Sequence, residues 1–167
     1  MKKKEKIIIT DTNILTDLYH AKILEQFVNL KYVYIVDLVL HDEINFKTGN
    51  VKLINKIKVI NVSSRQIEET LNISLNERKL SIYDIINFIV ARDSNGVLAT
   101  GDKKLREFSL KNGVIVYRTL RIIKLMIEEK VISKDDAIKA CELLKEYNNT
   151  RIPLEDINKL IHEFEDN

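Results

Sequence analysis

Apolar residues in this chain come alternately as short unbroken runs and as spaced repeats, and that alternation predicts the order of its elements. Ile7-Ile8-Ile9-Thr10 is a β-branched run ending at Asp11. A run apolar at every position predicts a strand buried on both faces, central in a parallel sheet. Thr12-Asn13 then starts a helix through Ile14, Leu15 and Leu18, and residues 21–30 read as a second helix with Phe27 and Val28 inward. Val33 to Val36 is the second strand. Asp37 follows as the cap of a helix carrying Leu38, Leu40, Glu43, Ile44 and Phe46. Residues 51–56 add a helical turn, 58–62 form a third strand, and Ser63-Ser64 caps a helix through Leu71.

The most informative stretch is 81–105. Ser81 and Asp84 stand in the S-x-x-D spacing of a capping box. Ile85, Ile86, Ile89 and Val90 recur at helical intervals, and Asn95-Gly96 breaks the helix. Val97-Leu98-Ala99-Thr100 reads as a buried strand running into Gly101-Asp102, with Lys103-Lys104 opening the next helix. That helix reaches about Leu110, and after a turn at Asn112-Gly113 comes a last strand over 114–117. Helices then follow without strands: 119–130, 134–147 capped by Ser133, and 153–165 with Pro153 in the first turn. Strands alternating with helices through residue 117 predict an α/β fold with a parallel sheet covered on both faces. The expected division is residues 1–118 as the α/β domain and 119–167 as a helical extension packed on or beside it.

Charge changes this picture only when it is divided. The net charge of +2 separates into 22 basic against 16 acidic residues over 1–130, and 5 against 9 over 131–167. The first part suits a polyanion and the tail does not. One proline, four glycines and 45% apolar residues argue against long linkers or disorder. The single cysteine, Cys141, excludes an intramolecular disulfide and fits a reducing, cytoplasmic setting; its helical neighbours make it a packed thiol. The basic start Met1-Lys2-Lys3-Lys4 precedes only three isoleucines, too few for a signal-peptide core or membrane span.

Four acids stand where strands end or the next helices begin: Asp11, Glu43, Asp84 and Asp102. In parallel sheets, ligand sites gather at the carboxyl ends of the strands. Carboxylates gathered there repel one another unless cations neutralise them or some are protonated. Hard divalent ions, Mg²⁺ or Mn²⁺, take carboxylate and water oxygens. Such a site can activate a water for in-line attack on a phosphodiester. Each acid also has a plainer role: Asp11 and Asp102 as helix caps, Asp84 as a dipole partner, Glu43 as a solvated charge.

With these residues in view, the chain resembles PIN-domain proteins over about residues 6–120. The matching pieces are the strand ending in Asp11-Thr12-Asn13, Glu43 after strand two, the block from Leu80 through Asp84 to Ala91, and Val97 to Asp102. The resemblance implies a three-layer α/β/α fold with a central parallel sheet of about four or five strands. It also implies a nuclease that cuts single-stranded RNA with Mg²⁺ or Mn²⁺. By position, Asp11, Glu43, Asp84 and Asp102 would be the metal-binding and catalytic quartet, with Thr12, Asn13 and Thr100 supporting them. Lys103, Lys104 and Arg106 would hold substrate phosphates, or simply form a solvated helix face. Relatives of this kind include prokaryotic toxins held by an antitoxin, and many dimerise. The helical tail departs from the shortest of them and looks more like a group of prokaryotic PIN-related proteins with C-terminal helices.

Two other readings stay open. The chain could be a non-catalytic PIN-type module that binds a partner or RNA, its acidic amphipathic tail serving as the interface. A strand ending in Asp also suits an aspartyl phosphatase, but the second Asp that such a motif wants is Asn13 here. His20, His41 and His162 share no metal-ligand spacing, Tyr32, Tyr34 and Tyr83 read as packing aromatics, and Asp93 as a helix-end acid.

Overall fold

The computed structural model describes residues 6–44, 56–147 and 149–166, with the side chains of 43 and 44 excepted. Five parallel strands form one sheet: β1 (Ile8–Thr10), β2 (Val33–Val36), β3 (Lys58–Ile60), β4 (Val97–Ala99) and β5 (Ile115–Tyr117). Their order is β3-β2-β1-β4-β5. The chain builds outward from β1 through β2 to β3, then crosses back and adds β4 and β5 on the other side. The order therefore reverses between β1 and β4, and a crevice opens there beyond the strand ends. The architecture is the three-layer α/β/α arrangement expected from the strand and helix pattern.

Burial follows strand position. Every residue of β1 and β4 is buried, as their unbroken apolar sequences require, whereas edge residues Val59 and Ile115 are exposed. Ile8, Ile9 and Thr10 align with Val97, Leu98 and Ala99. Continuing that register brings Asp11 level with Thr100 at the strand ends. Gly96 lets the two strands approach, since a Cβ there would meet the Ile7 carbonyl oxygen at 2.8 Å.

The helices before the tail are α1 (Thr12–His20), α2 (Leu24–Val28), α3 (Asp37–Val39), α4 (Ser64–Asn76), α5 (Ile82–Asp93) and α6 (Lys103–Lys111). A wider π-type turn, Leu40–Ile44, continues α3. The helix expected over 21–30 is shorter because Lys22 takes a left-handed conformation (φ 59°) after the C-cap at Ala21. Asp37 stands inside α3 as its first residue, with Val36 as the cap. Helix α4 runs past Leu71 to Asn76. The expected turn over 51–56 lies largely outside the described residues, as do Phe46 and the lysines at 2–4.

Helix α5 lies against β1, β2 and β4, presenting Ile85, Ile86, Ile89 and Val90 to the core. Full burial of each such side chain contributes about 2 kcal/mol relative to exposure. Arg92 on α5 pairs with both carboxylate oxygens of Glu69 on α4, at 2.6 and 2.9 Å, and with Asp93 at 2.7 Å. Asp93 thus belongs to an ion cluster at the end of α5.

The tail forms α7 (Thr119–Glu128), α8 (Lys134–Glu146) and α9 (Leu154–Glu165), the last beginning just after Pro153, which is its N-cap. Helices α7 and α8 pack on α1, and α9 packs on α8. Their inward residues, among them Ile122, Met126, Ala137, Leu144, Ile157 and Leu160, are buried in the common core. Cys141 is fully buried there, and burial pushes its thiol up to about 12. His20 at the end of α1 stacks on Tyr147 at 3.7 Å between ring centres. Among the described residues no helix is long and apolar enough to cross a membrane.

Candidate active site

Asp11 follows β1 and caps α1, its Oδ1 accepting from the Thr12 backbone N–H at 2.8 Å. Its Oδ2 accepts from the Asn13 side-chain amide and from the Thr100 hydroxyl, both at 2.8 Å. Asn13 also accepts from the Gly101 N–H at 2.8 Å, and Thr100 Oγ1 accepts from the Asp102 N–H at 3.1 Å. The two strand ends are stitched together by side chains where the backbone ladder stops. Asp11 is only 5% exposed, so these donors take the place of water around a carboxylate that is costly to bury alone.

Asp102 follows β4 and caps α6, its Oδ1 accepting from the Leu105 N–H at 2.9 Å. Its Oδ2 accepts from Arg151 at 3.2 Å. Asp84 enters from the first turn of α5, where a reciprocal capping box fixes it. The Ser81 N–H donates to Asp84 Oδ2 at 2.7 Å, and the Asp84 N–H donates to Ser81 Oγ at 3.1 Å.

Asp11, Asp84 and Asp102 all line one cavity of about 670 Å³ at the carboxyl edge of the sheet, together with Thr12 and Asn13. Thr100 is fully buried behind it. Glu43 lies in the π-type turn after β2, and its side chain is outside the described residues. Lys103, Lys104 and Arg106 are not among the residues that line the cavity. Lys103 reaches Glu107 at 3.9 Å, and both lysines are exposed on α6.

Several lining residues went unanticipated: Asp17, Arg118, Arg121, Tyr147 and Arg151. Asp17 accepts from the Thr119 hydroxyl at 2.6 Å. Burial pushes its carboxyl up, against the lowering effects of that bond and of the His20 and Arg151 charges. A sequence signal for Asp17 existed, because Asn13, Thr16 and Asp17 make a polar stripe along one face of α1. Tyr147 and Arg151 had none, since only the packing of the tail brings them here.

The donor set facing the cavity is hard carboxylate oxygen. Among the described residues, no three His, Cys, Asp or Glu side chains form a group that could hold a metal ion. This arrangement fits a hydrated hard cation such as Mg²⁺, which keeps several waters and takes one or two carboxylates. It does not make a closed protein cage. Tyr83, expected to pack, lies against the core with its hydroxyl donating to Asp42 at 3.0 Å.

No curated protein matches the chain. Among solved structures, the crystal structure of PAE2754 from Pyrobaculum aerophilum matches with a TM-score of 0.51 at 20% identity, over 76% of this chain and 91% of that one, a likeness of fold. The family model DUF3368: PIN domain matches residues 7–166, from before β1 to the end of α9. PIN domains are generally nucleases and typically depend on divalent metal, and this chain, matched almost from end to end, belongs to the PIN-domain family.

Proposed function

We propose that this protein is an endoribonuclease that hydrolyses phosphodiester bonds of single-stranded RNA with Mg²⁺ or Mn²⁺. The observation that carries this reading is the meeting of Asp11, Asp84 and Asp102 at one cavity, at the point where strand order reverses. Asp11, Asp84 and Asp102, with Glu43 as a fourth, would hold the hydrated ion, one or two of them directly and the others through its waters. When bound, the ion would polarise the phosphate and help ionise the attacking water.

The chain's own residues would supply orientation. Thr100 and Asn13 fix the plane of the Asp11 carboxylate, the capping box with Ser81 fixes Asp84, and the α6 N-terminus fixes Asp102. Each carboxylate is thus held before substrate arrives, and little reorganisation remains for the reacting complex. In this reading residues 1–118 carry the chemistry, and 119–167 cover α1 and close one side of the cavity.

The test is a titration of Mn²⁺ into wild type and Asp84→Asn by calorimetry, alongside cleavage of a mixed-sequence single-stranded RNA. Wild type should bind and cut, chelator should abolish cutting, and Asp84→Asn should lose both. Cleavage that survives chelation would overturn the mechanism. One observation favours a second reading, a binding module without turnover: Arg151 already occupies an oxygen of Asp102. Failure of both proteins to bind metal would select that reading.

A further inference from the structure

The cavity has two chemically different sides, and their placement follows the sheet. Its acids come from the ends of β1 and β4 and from α1 and α5. Arg118 and Arg121 come from the residues just beyond β5, the next strand outward. Arg151 reaches the same space from the connection between α8 and α9.

These guanidiniums are held to different degrees. Arg121 lies over the Tyr117 ring at 4.9 Å and pairs with both oxygens of Glu128, at 3.0 and 3.2 Å. Arg118 has no ion pair among the described residues. Arg151 touches Asp102 through one nitrogen at 3.2 Å while its side chain is 73% exposed. A guanidinium offers five N–H donors in a planar fork suited to phosphate oxygens. A single solvated contact such as Arg151–Asp102 is weak, so Arg151 can exchange it for another anion. Carboxylates alone would repel a phosphodiester chain, and the arginine side supplies the opposite potential within the same space.

We propose that Arg118, Arg121 and Arg151 clamp the backbone phosphates of a single-stranded nucleic acid beside the carboxylates, Arg151 leaving Asp102 to do so. The helical tail is then part of the substrate site. This deepens the nuclease reading and rests on it for the identity of the strand.

The test measures binding without turnover. Asp84→Asn protein in EDTA is titrated with a short labelled single-stranded RNA by fluorescence anisotropy, across a salt series. Adding Arg151→Gln should weaken binding several-fold and flatten the slope of log K against log salt by about 0.7, the value for one phosphate contact on a single strand. Removing all three arginines should flatten it by about 2. Arg151→Lys, which keeps the charge, should retain the slope. Thermal melting verifies folding, and Arg151→Gln, at an exposed side chain, carries the test if the triple variant unfolds. Unchanged affinity and slope in the arginine variants, or no salt-dependent binding by the parent, overturns the clamp. If wild type cuts RNA and the arginine variants bind like the parent, the clamp fails and the nuclease reading stands. If binding needs the arginines but wild type never cuts with any divalent ion, the clamp stands and the nuclease reading fails.

Discussion

Two helix starts in this molecule use the same four-residue device and finish in different surroundings. Ser81–Asp84 opens α5 and Ser133–Asp136 opens α8, each as a reciprocal capping box. The backbone at the two caps is nearly the same, with φ −73° and ψ 162° at Ser81 and φ −80° and ψ 167° at Ser133. In both, the acid's N–H donates to the serine hydroxyl at 3.1 Å, and the serine's N–H donates back to the carboxylate. Yet Asp84 lines the cavity while Asp136 is absent from its lining. Local hydrogen bonding explains why each helix begins where it does. Only the crossover from β3 to β4, which lays α5 across β1 and β4, explains why one of the two acids faces the site.

The largest effect should separate these twins by activity. Asp84→Asn should lower cleavage of single-stranded RNA by at least about a hundredfold, the scale of losing one preorganised charged group at a reacting centre. Asp136→Asn should cleave like wild type. In both variants the remaining amide oxygen can still accept the serine N–H, so loss of folding should not explain the difference, and circular dichroism checks it. Equal activities in the two variants would break the comparison.

The same contrast marks what can be read from residue order. β1 and β4 were legible because burial on both faces leaves their runs almost wholly apolar, and β2 because only Tyr34 interrupts its buried run. The Ser81–Asp84 capping box and the cap at Ser133 were legible because the device is local. Asp11 and Asp102 were legible as ends of buried strands, and the register of β1 with β4 sets their neighbours level. The extent of α2 was not, because an ordinary lysine at 22 gives no warning of a left-handed turn. Arg118 and Arg121 sit in a plain amphipathic helix start, and Arg151 in an irregular connection. Their position depends on how α7 to α9 dock on α1, which no local pattern encodes. The basic residues picked out from sequence, Lys103, Lys104 and Arg106, are adjacent to Asp102 in the chain but outside the cavity lining.

A next, smaller effect concerns what holds the carboxylates. Thr100→Val removes the hydroxyl that donates to Asp11 and accepts from the Asp102 N–H, both in buried or half-buried surroundings. Stability should fall by about 1–3 kcal/mol, the cost of leaving such partners unmade, measured by denaturant unfolding. Activity should fall by roughly tenfold as Asp11 loses a positioning bond. Ser81→Ala and Ser133→Ala sharpen the twin comparison, since each should cost about 1 kcal/mol as a lost N-cap. Only Ser81→Ala should also slow cleavage, because only its partner lines the cavity.

The smallest effect is a difference in pH dependence between two acids held in opposite ways. The Ser133 hydroxyl and backbone N–H hold the Asp136 carboxyl below its ordinary 3.8. Its contribution to stability is therefore present above pH 3.8 and lost as pH falls through the lower folded-state value. Asp17 is the reverse, since burial raises its carboxyl despite the Thr119 bond. The folded state then binds the proton more tightly than the unfolded chain, so stability is full below 3.8 and declines as pH rises through the raised folded-state value. Relative to wild type, Asp136→Asn should lose stability as pH rises to 3.8 and then stay level, whereas Asp17→Asn should gain it as pH rises above 3.8, its amide oxygen still accepting from Thr119. Melting curves taken from about pH 2 to 7 should show the Asp136→Asn difference falling with pH below 3.8 and the Asp17→Asn difference rising above it, slopes of opposite sign. Parallel slopes would mean that the bond from Thr119, rather than burial, governs Asp17.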